Sequence, residues 1–325
     1  MQTVTGTDII AAANYLKAGE LVAIPTETVY GLAGNALDEN AVIKIFTTKG
    51  RPRFNPLILH VASWTAAERY VKNIPTKAYS LAAAFMPGPV SFLLPKNDLV
   101  PDIVTAGSDK VAVRVPGHPL TQQLLQLLPF PLAAPSANPF GYISPTTAAH
   151  VRENLGGKIP YILDGGPARV GVESTIIGFD EAGQPLLYRS GGIGTEAIEE
   201  VLGEKILKAG TAAAHQPETS GRLKSHYAPH TPLYLGHITA MTQLWAGKKI
   251  ALISFKDEYA HLPAAKHFVL SPAGNLNEAA SKLFAVLREA DSSGYDVILT
   301  EKFPNHGIGR AINDRLEKAQ ALHKD

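Results

Sequence analysis

Between about residues 203 and 231 the sequence loses its periodicity, and that interruption does most to limit what the chain can fold into. The stretch "GTAAAHQPETSGRLKSHYAPHTP" is rich in Ala, Pro, His, Ser and Thr and has the composition of a linker. On both sides of it, short extended runs alternate with helical ones. A chain of 325 residues therefore divides into two globular units with separate cores, as surface-to-volume scaling favours at this length. The division expected is residues 1–205, a linker over 206–231, and residues 232–325.

In the first unit, Thr7 or Asp8 can cap "DIIAAANYLKA", Gly19 can end it, and "LVAIP" follows as a buried strand. Asp38 caps "ENAVIKIFTTK", Gly50 stops it, and "LILHVA" is the next strand. Further strands are expected at "VSFLLP", "VAVRVP", "PLAAP", "YILD", "STIIGF" and "PLLYRS", with helices over 76–86, 119–128, 145–155 and 195–202. The strands at 90–95 and 111–115 follow one another without a helix, which predicts a mixed sheet.

Beyond the linker the alternation is cleaner. Strands "PLYLG", "KIALISF", "KHFVL" and "YDVILTE" are interleaved with helices over 238–246, 276–290 and 307–320. This predicts a small Rossmann-like α/β domain. No G-x-G-x-x-G follows its first strand, so the fold does not bring a dinucleotide with it.

Composition removes several functions. With no cysteine, disulfides, thiolate nucleophiles and cysteine-ligated metals are excluded. No apolar run approaches the roughly 20 residues that span a bilayer, and the start "MQTVTGTDII" has no export signal, so a cytoplasmic location is expected. Net charge is +1. Residues up to 205 hold 16 basic and 18 acidic side chains, and the rest hold 14 and 11. Neither half is a basic module, so anion binding must come from local clusters.

One such cluster is "TTKGRPRFNPLILHV". Lys49, Arg51 and Arg53 stand on alternate residues, with no carboxylate between Glu39 and His60. Arginine delivers paired donors to phosphate and lysine a compact charge, so Lys49 and Arg51 suit a polyphosphate, with Arg53 a solvated neighbour. His60 alone reads as a buried neutral histidine. Arg114 in "VAVRVP" is a cation inside a buried strand and needs an anionic partner. "PTETVYGLAGNA" offers Thr26, Thr28 and Tyr30, although a strand-to-helix turn with threonine caps explains it as well. "APSANPFGYISPTTAAHV" offers Ser136, Asn138 and Ser144 before a helix starting near Pro145, where hydroxyls and free amides suit an anion. Ser174 in "GVESTIIGF" and Arg189 in "LLYRSGGIG" lie at the mouths of adjacent strands.

In this order, "PTETVYGLAGNA", "KGRPRFNPLILHV", "MPGPVSFLL", "VAVRVPGHP", "PLAAPSANPFGYISPTTAAHV", "GGPARVGVESTI" and "LYRSGGI" span residues 25–193. Together they resemble the threonylcarbamoyl-AMP synthase family, the YrdC-like proteins. "SHYAPHTP" marks the long form with an added C-terminal domain. The resemblance implies a YrdC-like twisted mixed sheet with helices, plus the smaller Rossmann-like domain joined by a long linker. It implies a nucleotidyltransferase that condenses L-threonine, bicarbonate and ATP into threonylcarbamoyl-adenylate and pyrophosphate. The product would serve t6A modification at position 37 of tRNAs reading ANN codons, through a separate tRNA threonylcarbamoyl transferase complex; a weak contact with tRNA itself stays open.

Carried over residue by residue, the resemblance implies L-threonine binding by Thr28, His60, Arg114, the backbone at Ala134, and Ser174. It implies ATP binding by Arg51, Asn55, Lys110, Ser136, Ser144 and Arg189, with Lys49 completing the K-x-R element, Asn138 in the same loop as Ser136, and Tyr227 reaching back from the linker. No catalytic nucleophile or dyad is expected, because the chemistry needs positioning and charge neutralisation. Mg2+ is expected to be held mainly by ATP and water. Two other readings stand beside this one. A nucleic-acid-binding module is disfavoured by nearly neutral domains and few aromatic platforms. Carbamoyl transfer of the hydrogenase-maturation type belongs to enzymes with cysteine-rich regions.

Overall fold

The computed structural model describes residues 2–210, 219 and 226–320. Most of the segment read as a linker lies outside them. Helix Ile9–Lys17 starts where Asp8, rather than Thr7, accepts from the Ile10 and Ala11 amides. Helix Glu39–Lys49 is capped by Asp38 and stopped by Gly50, whose φ of 61° is the left-handed turn that glycine adopts without a Cβ penalty.

Eleven strands form the larger sheet: β1 Val4–Gly6, β2 Val22–Ile24, β3 Gly31–Asn35, β4 Ile58–His60, β5 Val90–Pro95, β6 Lys110–Arg114, β7 Leu132–Ala133, β8 Tyr161–Leu163, β9 Thr175–Phe179, β10 Pro185–Arg189 and β11 Leu207–Lys208. Their order is β1-β8-β2-β3-β7-β4-β6-β5-β9-β10-β11, and it mixes parallel pairs such as β4/β6 and β5/β9 with antiparallel ones such as β5/β6 and β9/β10. β11 falls inside the segment expected to be linker and pairs with β10.

Two local expectations are corrected. "GLAGN" is not part of a strand-to-helix turn but β3, which returns antiparallel to β2. Its small residues admit close neighbours: a Cβ on Gly34 would lie 2.9 Å from Leu21 Cδ2. The helix expected near Pro145 begins at Ala148, capped by Thr147, whose hydroxyl accepts from the His150 amide. Ser144 therefore lies before the helix and does not cap it.

The second sheet contains β12 Leu233–Leu235, β13 Ile250–Ser254, β14 Lys266–Val269 and β15 Val297–Thr300, in the order β12-β15-β13-β14. All three pairings are parallel. Helices Leu276–Ser292 and Gly309–Gln320 pack their apolar faces on it.

This second core does not stop at the domain boundary. Val29, Ile143 and Val172 of the first unit are buried in the same cluster as Phe284, Leu287 and Ile312, with Tyr227 among them. Gly171 makes the close approach possible, since a Cβ there would lie 2.2 Å from the Ala280 carbonyl oxygen. The two units are thus packed against each other along the loops that carry the site.

Candidate active site

The parallel pairing of β4 with β6 puts His60 opposite Arg114. β7, antiparallel to β4, delivers Ala134 just beyond its end, and the Ala134 amide donates to the Ile58 carbonyl at 3.2 Å. The turn after β2 adds Thr26 and Thr28, and Ser174 and Arg189 come from the ends of β9 and β10. With Arg51, Ser136, Glu173, His226 and Tyr227, these residues enclose a cavity of about 50 Å3. That is room for a few waters.

On one side of the cavity, Arg114 Nη2 donates to Glu27 Oε1 at 2.6 Å and to Thr28 Oγ1 at 3.0 Å. Glu27 is fixed in turn by the Gly117 amide, 2.9 Å from Oε2. The anion that the burial of Arg114 calls for is therefore inside the protein. Arg114 Nε is buried and has no partner among the described residues, so the guanidinium still holds an unused donor. His60 Nδ1 is 3.1 Å from the Ile58 carbonyl. Burial, and then the neighbouring Arg114, push its pKa down to about 3, so the ring is neutral at physiological pH. Ser174 Oγ is 2.8 Å from Ser91 Oγ and accepts from Arg189 Nη2 at 3.1 Å.

The other side is cationic. Arg51 donates to Asn55 Oδ1 at 2.8 Å, to the Pro56 carbonyl at 2.9 Å and to the Asn55 carbonyl at 3.1 Å. Burial pulls its pKa down to about 9, which leaves it charged at neutral pH. Lys49 Nζ donates to the Ser136 carbonyl at 2.5 Å and to the Asn138 carbonyl. Burial, and then Arg51, hold its pKa well below the usual value. Lys49 and Arg51 are thus buried basic groups whose hydrogen-bond partners among the described residues are neutral oxygens.

Not every residue singled out from sequence reaches the cavity wall. Thr28, His60, Arg114, Ala134, Ser174, Arg51, Ser136, Arg189 and Tyr227 do. Lys49 and Asn55 stand behind it, Lys49 tying the Ser136 loop and Asn55 holding Arg51. Asn138 Nδ2 donates to the Pro139 and Tyr142 carbonyls and shapes that loop. Ser144 donates to Glu173 Oε1 at 2.6 Å. Lys110 opens β6, four residues and so roughly 13 Å along the strand from Arg114, and is not part of the wall. Tyr30 is also structural, its hydroxyl donating to the Gly166 carbonyl at 2.7 Å.

Sequence reasoning missed Glu27, Glu173, His226 and Arg315. Glu173 Oε2 accepts from Arg315 Nε at 2.9 Å. Burial pushes its carboxyl up, but Arg315, Arg189 and the Ser144 hydroxyl together hold it at about 2. Glu27 and Glu173 sit inside "PTET" and "GVEST", and the need of Arg114 for an anion was a signal for the first. Tyr227, at a φ of 64°, stacks on Phe284 with centroids 5.6 Å apart. The Ala228 amide donates to the Gly141 carbonyl at 2.8 Å, which fastens this segment over the site.

The model of a family described as telomere recombination, covering Sua5, YciO and YrdC, matches residues 14–191. A second model, described as the C-terminal domain of threonylcarbamoyl-AMP synthase, matches residues 193–321. The threonylcarbamoyl-AMP synthase of Pyrococcus abyssi is 43% identical over 321 residues, 95% of this chain and 92% of that protein. The Bacillus subtilis protein of the same name is 39% identical, over 96% and 92%. The crystal structure of P. abyssi Sua5 complexed with L-threonine superposes with a TM-score of 0.89 at 41% identity, covering 98% of this chain and 97% of that one. Matched along nearly its whole length in both sequence and fold, the chain belongs to the threonylcarbamoyl-AMP synthase family.

Proposed function

We propose that the protein is an L-threonylcarbamoyladenylate synthase, which condenses L-threonine, bicarbonate and ATP into threonylcarbamoyl-AMP and pyrophosphate. The observation that carries this reading is the meeting of two unlike halves in one cavity. One half suits an amino acid: the unused donor of Arg114 can take its carboxylate, while neutral His60, Thr28, Ser174 and the Ala134 backbone can bond its amine and hydroxyl. The other half, with Arg51 and Arg189 on the wall and Lys49 behind it, suits a polyphosphate. Asn55, Asn138 and Ser144 support that half through the contacts they make. Residues 1–205 act as the catalytic domain, 206–231 as the linker, and 232–325 as the domain that grips the linker's end.

In the first step threonine's amine adds to bicarbonate, giving the carbamate and water. A carbamate oxygen then attacks the α-phosphorus of ATP in line, and pyrophosphate leaves with the bond's electrons. Neither step needs a protein nucleophile. Both need the reacting atoms aligned and the phosphate charge met by fixed cations. Magnesium would neutralise phosphate charge, as in other phosphoryl transfers. Glu173, the one carboxylate on the described wall, is already spent on Ser144 and Arg315, so the ion would travel on the nucleotide.

His226 and Tyr227 stand on the cavity wall, and on this reading they move aside as the substrates enter. Their return excludes water from a product that water destroys. The mixed anhydride carries an activated carbamoyl group, and a transferase must consume it. We assign tRNA as the final acceptor through the t6A-forming machinery, and the cytoplasm as the location. No described helix is long and apolar enough to cross a membrane. Supplying 13C-bicarbonate tests the chemistry directly: the adenylate must carry the label in its carbamoyl carbon. An unlabelled adenylate would rule out bicarbonate as the carbon source.

A further inference from the structure

The C-terminal domain sends a fully buried arginine to the back of Glu173, the carboxylate on the described cavity wall. Arg315, on helix Gly309–Gln320, is 0% exposed. Its Nε donates to Glu173 Oε2 at 2.9 Å, and its Nη1 to the Ser190 carbonyl at 2.9 Å and to Asp314 Oδ2 at 2.7 Å. Its guanidinium carbon lies 5.3 Å from the centre of the Tyr227 ring. The other oxygen of Glu173 takes the Ser144 hydroxyl. A chain of contacts thus runs from Ser144 through Glu173, on the cavity wall, to Arg315 of the second domain.

An ionised carboxylate is a liability in a cavity that must receive a polyphosphate. Charges in a buried site act on each other far more strongly than in water. Yet Glu173 has a use, because it holds Ser144 at the start of the loop that leads into helix Ala148–Leu155. The arrangement is tolerable only if something cancels its charge.

We propose that Arg315 is a positioning residue for ATP: it neutralises Glu173, so that the carboxylate can hold Ser144 without repelling the triphosphate. The inference rests on the reading of this half of the cavity as the ATP site. It assigns the C-terminal domain a part in substrate binding through one side chain. Docking of the two domains also has the apolar contacts of Val29, Ile143 and Val172. Arg288 adds to it by donating to Asn154 Oδ1 at 2.8 Å and to the Ile143 carbonyl.

The sign of the charge separates this role from simple docking. ATP affinity is measured by titration calorimetry on the full chain for wild type, Arg315→Met, Glu173→Gln and the double variant. Arg315→Met leaves an uncompensated anion and weakens ATP about tenfold or more, while threonine affinity stays within about twofold. Glu173→Gln breaks the same ion pair but removes the anion, and tightens ATP a few fold. The double variant returns to within about threefold of wild type. Arg315→Lys keeps the charge, holds ATP affinity within about threefold, and supplies the comparison if the methionine variant does not fold. Equal weakening by Arg315→Met and Glu173→Gln, or joint loss of ATP and threonine binding in Arg315→Met, would reduce the pair to a domain anchor and overturn the proposal. Wild-type protein that binds no ATP would instead bring down the reading of the cavity, and the proposal with it.

Discussion

Arg114 Nη2 lies 2.6 Å from Glu27 Oε1, and both side chains are almost wholly buried. The pair is 87 residues apart in sequence and fixes Nη2 of the guanidinium, while its Nε has no partner among the described residues. On the proposed reading, Glu27 sets the position of the arginine that would take the amino acid's carboxylate.

Replacing Glu27 with Gln should raise the dissociation constant for threonine about tenfold and leave that for ATP nearly unchanged. Calorimetric titration with each substrate checks the split. Glu27→Ala, which strands a buried cation, should cost about 3 kcal/mol of stability in urea unfolding.

Arg51 is held by Asn55 and faces the cavity. Arg51→Ala should abolish most product formation, lowering kcat/KM for ATP about a hundredfold or more, the cost of a charged contact to a phosphate. Asn55→Ala, which frees the guanidinium without removing it, should cost about tenfold. Threonine binding should survive both. An Arg51→Ala variant with wild-type yield would remove the phosphate assignment of this half.

Tyr227 is packed between Phe284 and Arg315 and lies over the cavity. Tyr227→Ala should admit water, shorten the lifetime of the adenylate on the enzyme and raise the ATP consumed per adenylate recovered. Quenched-flow sampling of both quantities checks this. An unchanged ratio would reduce residues 226–227 to a tether.

His60 and His226 have pKa values near 3, and His150 near 4, in each case pushed down first by burial. In the unfolded chain they take up protons near 6.5, so the unfolded state binds more protons at lower pH. The stability these groups contribute is complete above about pH 6.5 and is lost as pH falls to about 4 for His150 and about 3 for His60 and His226. Each fully buried histidine accounts for up to about 2 kcal/mol between pH 6.5 and 5. Urea unfolding at those two values should show a smaller loss for His60→Asn than for wild type. Glu173 titrates below its usual range and does not enter that window.

The parts of the fold legible in sequence were those set by local rules. Asp38 and Gly50 marked the ends of their helix, and the alternation beyond residue 231 gave the parallel sheet. β3 was harder to see, because "GLAGN" lacks the branched residues that usually mark a strand, and pairing with β2 and β7 makes it one. The site divides the same way. The K-x-R element could be picked out as cations without neighbouring carboxylates and Arg114 as a cation in a buried strand; Arg51 finds its partners locally in Asn55 and Pro56, but Arg114 is met by Glu27, 87 residues away, and Glu173 by Arg315, 142 residues away. Lys49 shows the limit of reading a charge as a ligand contact, since its ammonium faces two backbone carbonyls. No spacing in the sequence encodes that orientation; it follows from how the loop after β7 folds back over the helix that carries Lys49.

The most direct test is pyrophosphate release from ATP and bicarbonate, with L-threonine present or left out, while the adenylate is followed by mass. Release that depends on threonine and matches the adenylate formed in amount is the predicted result. Release that proceeds equally without threonine, or no release at all from protein that binds both substrates, would contradict the account.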